Sequence, residues 1–192
     1  MSKILTKKFE KALQYAARIH STQIRKCTNI PYIAHLLAVA SIVIENGGRE
    51  DEAIAALLHD AVEDQGGVKT FEEICQLFGD GVGSIVADCT DAWSEPKPPW
   101  RERKEKYIAH LYGVSSSVLL VSCADKLHNA RTILTDYRKS GDEVWVRFKG
   151  GKEGVLWYYR EITNTYQKLN ANSEIVDELD RVVSELERLT TK

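Results

Sequence analysis

The sequence predicts an all-α fold, a compact bundle of about eight to nine helices. Apolar residues recur at helical spacing through most of the chain, and no convincing period-two alternation appears. Gly47-Gly48, Gly79, Gly113 and the cluster Pro96, Pro98 and Pro99 then cut that pattern into helix-length pieces. With 192 residues, 43% hydrophobic and 28% charged, the chain reads as one domain over residues 1–192, long enough to bury a sizeable core.

The first helix is expected from about Lys8 to His20, with Phe9, Leu13, Ala16 and Ala17 facing inward. A loop from Ser21 to Ile30 leads to Pro31, and a second helix runs through about Ile44 until Gly47-Gly48 ends it. The third covers roughly Arg49 to Val62. Thr70 with Glu73 three residues on has the capping-box pattern of a fourth helix, which Gly79 stops. A fifth spans Val82 to Thr90. Pro96, Pro98 and Pro99 cannot supply helical N–H groups, so the stretch before Trp100 reads as an extended surface loop. Helix resumes from about Trp100 to Tyr112. After Gly113, the apolar run Val118 to Val121 enters a long helix that reaches about Arg138.

The segment Gly141 to Gly154 is polar and glycine-bearing, which reads as a mobile connection. Its Val144, Trp145, Val146 and Phe148 would equally suit a short strand or a partner-facing patch. Two helices close the chain, about Val155 to Leu169 and Ser173 to Leu189. The stripe Ile175, Val176, Leu179, Val182, Val183, Leu186 and Leu189 reads as core rather than interface, which leaves the oligomeric state open.

A formal charge of −2 without a long basic run gives no support for a nucleic-acid-binding surface. Met1 to His20 lacks the continuous apolar core of a signal peptide, and no segment approaches membrane-spanning length. Cys27, Cys75, Cys89 and Cys123 have no paired spacing, so reduced thiols and a cytoplasmic location are expected.

The chemistry is carried first by His59 and Asp60, at the end of the run Ala55 to Asp64. Ala53 to Leu58 is apolar nearly all round and belongs in a core, where an unpaired charge is costly. A divalent cation suits imidazole and carboxylate donors. Taken alone, the pair is equally a helix-dipole histidine beside an exposed aspartate. His35, one turn into the second helix, and Asp125, in Ser-Cys-Ala-Asp-Lys-Leu-His-Asn-Ala-Arg, add the same donor types. Each is ambiguous by itself: His35 would serve as a structural histidine, and Asp125 as a surface partner of Lys126 or Arg131.

The order His35, His59-Asp60, Asp125 resembles that of the HD-domain metal phosphohydrolases. Arg25-Lys26 before Pro31-Tyr32-Ile33 and His35, Glu63-Asp64 after the pair, and Asp125 to Arg131 narrow the likeness. Together they resemble the hydrolase domain of the RelA/SpoT alarmone enzymes, closest to the stand-alone small alarmone hydrolases, from about Leu5 to Leu169. The resemblance implies an HD-domain helical bundle holding one manganese ion with His35, His59, Asp60 and Asp125, other divalent ions being chemically compatible. It also implies hydrolysis of the 3′-pyrophosphate of guanosine tetra- or pentaphosphate. A cation with open positions would polarise a phosphoryl oxygen and lower the pKa of a bound water.

By the same resemblance, Glu63 and Asp64 orient and deprotonate the attacking water; otherwise they are a solvated acidic helix end. Arg25 and Lys26 would border the base and ribose, and Asn129 the sugar. Arg131 matches a family position but would serve equally as a structural ion-pair partner. Around the proline loop, Lys97 or Arg101 would close over the phosphates, while Arg103 and Lys104 fit a solvated helix start as well. Tyr158 corresponds to an aromatic of the nucleotide pocket, with packing as the alternative. Cys27 stands where many relatives carry glycine, and Pro-Lys-Pro-Pro-Trp departs from the usual loop, so adenosine analogues are candidate substrates beside guanosine ones. Two rival readings are a general HD phosphohydrolase of 5′- or cyclic nucleotides and a catalytically inactive nucleotide-binding regulatory module. The expected partner is a small-molecule nucleotide, with no nucleic acid and no membrane.

Overall fold

The computed structural model describes residues 5–93 and 96–191. The ends of the expected 1–192 domain and residues 94–95 of the proline-rich loop fall outside that range. Among the described residues the architecture is helical: α1 (Lys7–Ile19), α2 (Ile33–Glu45), α3 (Glu50–Leu58), α4 (Ala61–Gln65), α5 (Val68–Phe78), α6 (Asp80–Cys89), α7 (Trp100–His110), α8 (Ser116–Ser140), α9 (Gly151–Lys168) and α10 (Ser173–Thr190). Two 3₁₀ segments, Leu111–Gly113 and Gly141–Arg147, complete it. An isolated antiparallel bridge joins Ile24 to Pro31 across the loop after α1.

α3 is the central helix. Ala53 to Leu58 are fully buried, and α1, α2, α6 and α8 pack around them. Glu52 helps to start α3 by accepting the Arg49 N–H at 2.6 Å. Side-chain caps start other helices: Thr6 accepts from Lys8 N, Ser115 from Val118 N and Asn172 from Ile175 N. The stripe on α10 is core, as expected, buried against α8 and α9. Ion pairs flank it, including Arg160 to Asp180 and Glu187.

Three expectations are corrected. The expected helix from Arg49 to Val62 breaks at His59-Asp60, giving α3 and α4. The expected capping box at Thr70 does not form. Gly66 and Gly67, at φ 142° and 59°, turn the chain early, so α5 begins at Val68 and the Thr70 hydroxyl donates to the Gln65 carbonyl instead. The segment after Gly141 is neither a strand nor an irregular connection through Arg147. Val144 and Trp145 are buried, Trp145 packs against Tyr137 and Phe148, and its indole N–H donates to Asp142. Burial of that ring holds the 3₁₀ turn in place.

Candidate metal centre and cavity

The break between α3 and α4 builds the site. The His59 Nδ1–H donates to the Ala56 carbonyl at 2.8 Å, which fixes the tautomer and leaves the Nε2 lone pair for a ligand. His35 enters from the first turn of α2 and Asp125 from the middle of α8, both buried. His59 Nε2 lies 3.1 Å from Asp60 Oδ2 and 3.6 Å from Asp125 Oδ1. His35 Nε2 lies 3.2 Å from Asp125 Oδ1 and 3.5 Å from Asp60 Oδ2.

These four donors come close without bonding properly to one another. Both Nε2 atoms are buried and have no hydrogen-bond partner. A buried polar atom left unmatched is costly, and two of them facing two carboxylate oxygens is the arrangement a cation would relieve. The donor set of two imidazoles and two carboxylates fits a divalent metal ion, and His35, His59 and Asp125 each offer a donor atom within 4.8 Å of the other two.

The surroundings hold the donors in place. Tyr32 O–H donates to Asp60 Oδ2 at 2.6 Å, and Asn129 and Lys126 donate to Asp125. His35 Nδ1 meets His128 Nδ1 at 2.8 Å. Burial and the neighbouring imidazole push the His128 ring down to about 4, which keeps it neutral and able to accept that bond. Burial opposes charge on Asp125, yet Lys126 and the two imidazoles hold it well below the usual carboxylate range. Burial likewise opposes charge on Asp60, and His59 and His35 outweigh it.

A cavity of about 510 Å³ opens over this cluster. Arg25, Lys26, Glu63, Asp64, Asn129 and Tyr158 all line it, as do His35, Asp60 and Asp125. Arg25 donates to Asn129 Oδ1 at 2.7 Å and lies over the Tyr32 ring. The Lys97 ammonium bonds the Glu63 carboxylate at 2.9 Å. Although Asp64 reaches the solvent of the cavity, burial of its carboxyl by the walls and the charges of Asp60 and Glu63 push it up to about 6, against the pull of Gln23 and Lys97.

Two expected contacts are not brought to the cavity. Arg131 turns away to pair with Glu178 on α10, at 3.4 Å. Arg101 lies 3.2 Å from the centroid of the Trp157 ring and pairs with Glu105 one turn along its own helix. The neighbouring Arg103 and Lys104 point inward instead. Their side chains are 12% and 18% exposed, both bond Asp91, and all three line the cavity beside Lys126. Arg103, Lys104 and Lys126 thus gather three cations against Asp91 and Asp125 on one side of the cavity.

Lys126 looks like a surface partner of Asp125 from its position alone; burial makes it part of the wall. Tyr32, His128 and Asp91 also carry the site without having been singled out from the sequence. Tyr32 lies three residues before His35 and His128 three after Asp125, so helical spacing from the two ligands was the signal available for both.

The family model for the HD domain matches residues 12–156. The guanosine-3′,5′-bis(diphosphate) 3′-pyrophosphohydrolase MESH1 of Xenopus tropicalis is 37% identical over 86% of this chain and 87% of its own length. That of Danio rerio is 39% identical over 86% of each. A solved structure of a metazoan orthologue of SpoT that hydrolyses ppGpp and plays a role in starvation responses superposes with a TM-score of 0.78 at 27% identity, covering 96% of this chain and 98% of that one. The chain belongs to the HD domain family, and within it to the group formed by the MESH1 3′-pyrophosphohydrolases. It is an enzyme of the hydrolase class.

Proposed function

We propose that the protein removes the 3′-pyrophosphate from guanosine 3′,5′-bis(diphosphate) and its 5′-triphosphate counterpart, releasing pyrophosphate and GDP or GTP. The observation that carries this reading is a metal-type donor cluster, with two unpartnered imidazole nitrogens, at one end of a cavity whose wall holds Arg103, Lys104 and Lys126. His35, His59, Asp60 and Asp125 would hold a manganese ion. When bound, it supplies Lewis-acid polarisation of a phosphoryl oxygen and lowers the pKa of water.

The chain's own residues divide the remaining tasks. Glu63 and Asp64 orient the attacking water and take its proton as it adds to the phosphorus next to the ribose, while the bond from that phosphorus to the 3′ oxygen breaks and that oxygen leaves as a hydroxyl, protonated by the carboxyl or by solvent. A carboxyl raised to about 6 suits a base working near neutral pH. Arg103, Lys104 and Lys97 grip the departing pyrophosphate, Arg offering bidentate contacts. Lys97 must leave Glu63 to do so. Arg25, Lys26, Asn129 and Tyr158 border the nucleoside. The cavity suits a small-molecule nucleotide partner. Among the described residues no helix is long and apolar enough to cross a membrane. We place the protein in the cytoplasm as a single domain, in keeping with four unpaired cysteines.

The test is release of pyrophosphate by manganese-loaded protein from guanosine and adenosine 3′-pyrophosphorylated nucleotides, with 5′-monophosphates as the comparison. Turnover of the guanosine substrate is expected. Turnover of 5′-monophosphates alone would overturn the proposal, and preference for the adenosine substrate would reassign the base.

A further inference from the structure

A hydrogen-bonded group on the Asp64 side of the cavity has no part in the roles assigned above. Gln23, in the loop after α1, reaches across to α4. Its Oε1 accepts from Gln65 Nε2 at 2.6 Å and from His20 Nδ1 at 2.6 Å. With two donors converging on the oxygen, the amide is fixed in one orientation. Its Nε2 therefore faces Asp64 and donates to Oδ2 at 2.8 Å.

The anchor of this group is buried. His20 is 2% exposed and stacks on Tyr32, with ring centroids 5.5 Å apart and planes 20° from parallel. Tyr32 in turn bonds the ligand Asp60. A single buried ring thus sets both the residue that holds Asp60 and the residue that holds Asp64. Asp64 is in greater need of a tether, because its side chain is exposed in the cavity and would otherwise turn freely about χ1 and χ2.

We propose that Gln23 is a positioning residue for the hydrolysis: by occupying Oδ2 of Asp64 it presents Oδ1 to the attacking water. The inference rests on the reading of Asp64 as a water-orienting carboxylate. A catalytic group held to within a fraction of an ångström repays the ordering, since small misplacements cost large factors in rate.

The experiment compares Gln23→Met, which keeps length and loses the donor, and Gln23→Glu, which keeps shape and turns a carboxylate toward Asp64. Both are assayed with guanosine 3′,5′-bis(diphosphate) in wild-type and Asp64→Asn backgrounds, by steady-state kinetics. The expected result is kcat lowered roughly ten- to a hundredfold in each single variant. KM and metal content should stay unchanged, and no further loss should appear on top of Asp64→Asn. Full kcat in both Gln23 variants, a change confined to KM or metal content, or an equal loss in the Asp64→Asn background would each overturn the inference. A fast Asp64→Asn enzyme would remove the reading beneath it, whereas a slow Asp64→Asn beside fast Gln23 variants would remove the inference alone.

Discussion

Each residue at the candidate metal centre is defined by the atoms left over after its neighbours have bonded. His59 spends Nδ1 on Ala56 and His35 spends Nδ1 on His128, so each retains a buried Nε2 with no partner. Asp60→Ala is therefore expected to lose metal and activity together. Glu63→Ala should keep its metal while kcat falls by ~10²–10⁴, the usual contribution of a general base. Metal analysis and pyrophosphate release on the same samples check both; an unchanged rate in Glu63→Ala would refute its assigned role. Cys27 shows a different kind of residue-level fact. Its φ of 59° lies in the left-handed region that favours glycine. Cys27→Gly should raise stability by about 1 kcal/mol through removal of that strain. A urea midpoint that fails to rise at constant slope would contradict this.

Among the elements, the junction of α7 and α9 decides how the cationic wall is placed. Trp100 begins α7 and lies against the start of α9, where Gly150 and Gly154 leave room for its ring. A Cβ on Gly150 would lie 2.8 Å from two ring carbons, although its φ of −81° would accept alanine without strain. Gly150→Ala is expected to cost about 1–3 kcal/mol by overpacking. Gly113→Ala, with nothing within 4 Å, should stay within about 0.5 kcal/mol. Equal denaturation midpoints for the two variants would show that the ring moves aside without cost. The elements also separate what sequence pattern can report from what it cannot. Apolar spacing placed α8, α9 and α10 to within a few residues, because long amphipathic faces leave a strong period. The break at His59 was not visible. Helical pattern continues through Ala61 and Val62, and the interruption coincides with a side-chain bond to the Ala56 carbonyl.

For the whole molecule, proton and metal would compete for one site. In the metal-free protein burial opposes charge on His59, but Asp60 and Asp125 outweigh it and raise its pKa well above the ordinary histidine range. A group raised on folding gives stability that is complete below its unfolded pKa and is lost as pH rises through the folded one. Asp60 and Asp125, held low, give stability that is present above their unfolded pKa and lost as pH falls through the folded one. Metal binding needs the His59 Nε2 without its proton. As pH rises the metal-free protein thus loses its imidazolium contribution while the metal-loaded protein gains affinity. The difference in Tm between manganese-saturated and chelated protein is expected to widen from about pH 6 to about pH 8. A difference that narrows over that range would place the bound ion elsewhere.

By itself the sequence determined the helical class and the course of most helices, and it singled out His35, His59, Asp60 and Asp125 as candidate metal donors, which the fold brings together. Those properties rest on local periodicity and on donor types in a recognisable order. Only the tertiary structure decided which polar side chains share the cavity. Arg103 and Lys104 point inward and Arg101 outward because α7 presents different faces to Asp91 and Trp157. Arg131 belongs to Glu178 because α10 packs along α8. Tyr32 and Gln23 reach their carboxylates from separate elements, across 28 and 41 positions of the chain. A charge can be read from one position in the chain, but its partner is set by the packing of helices far apart in sequence.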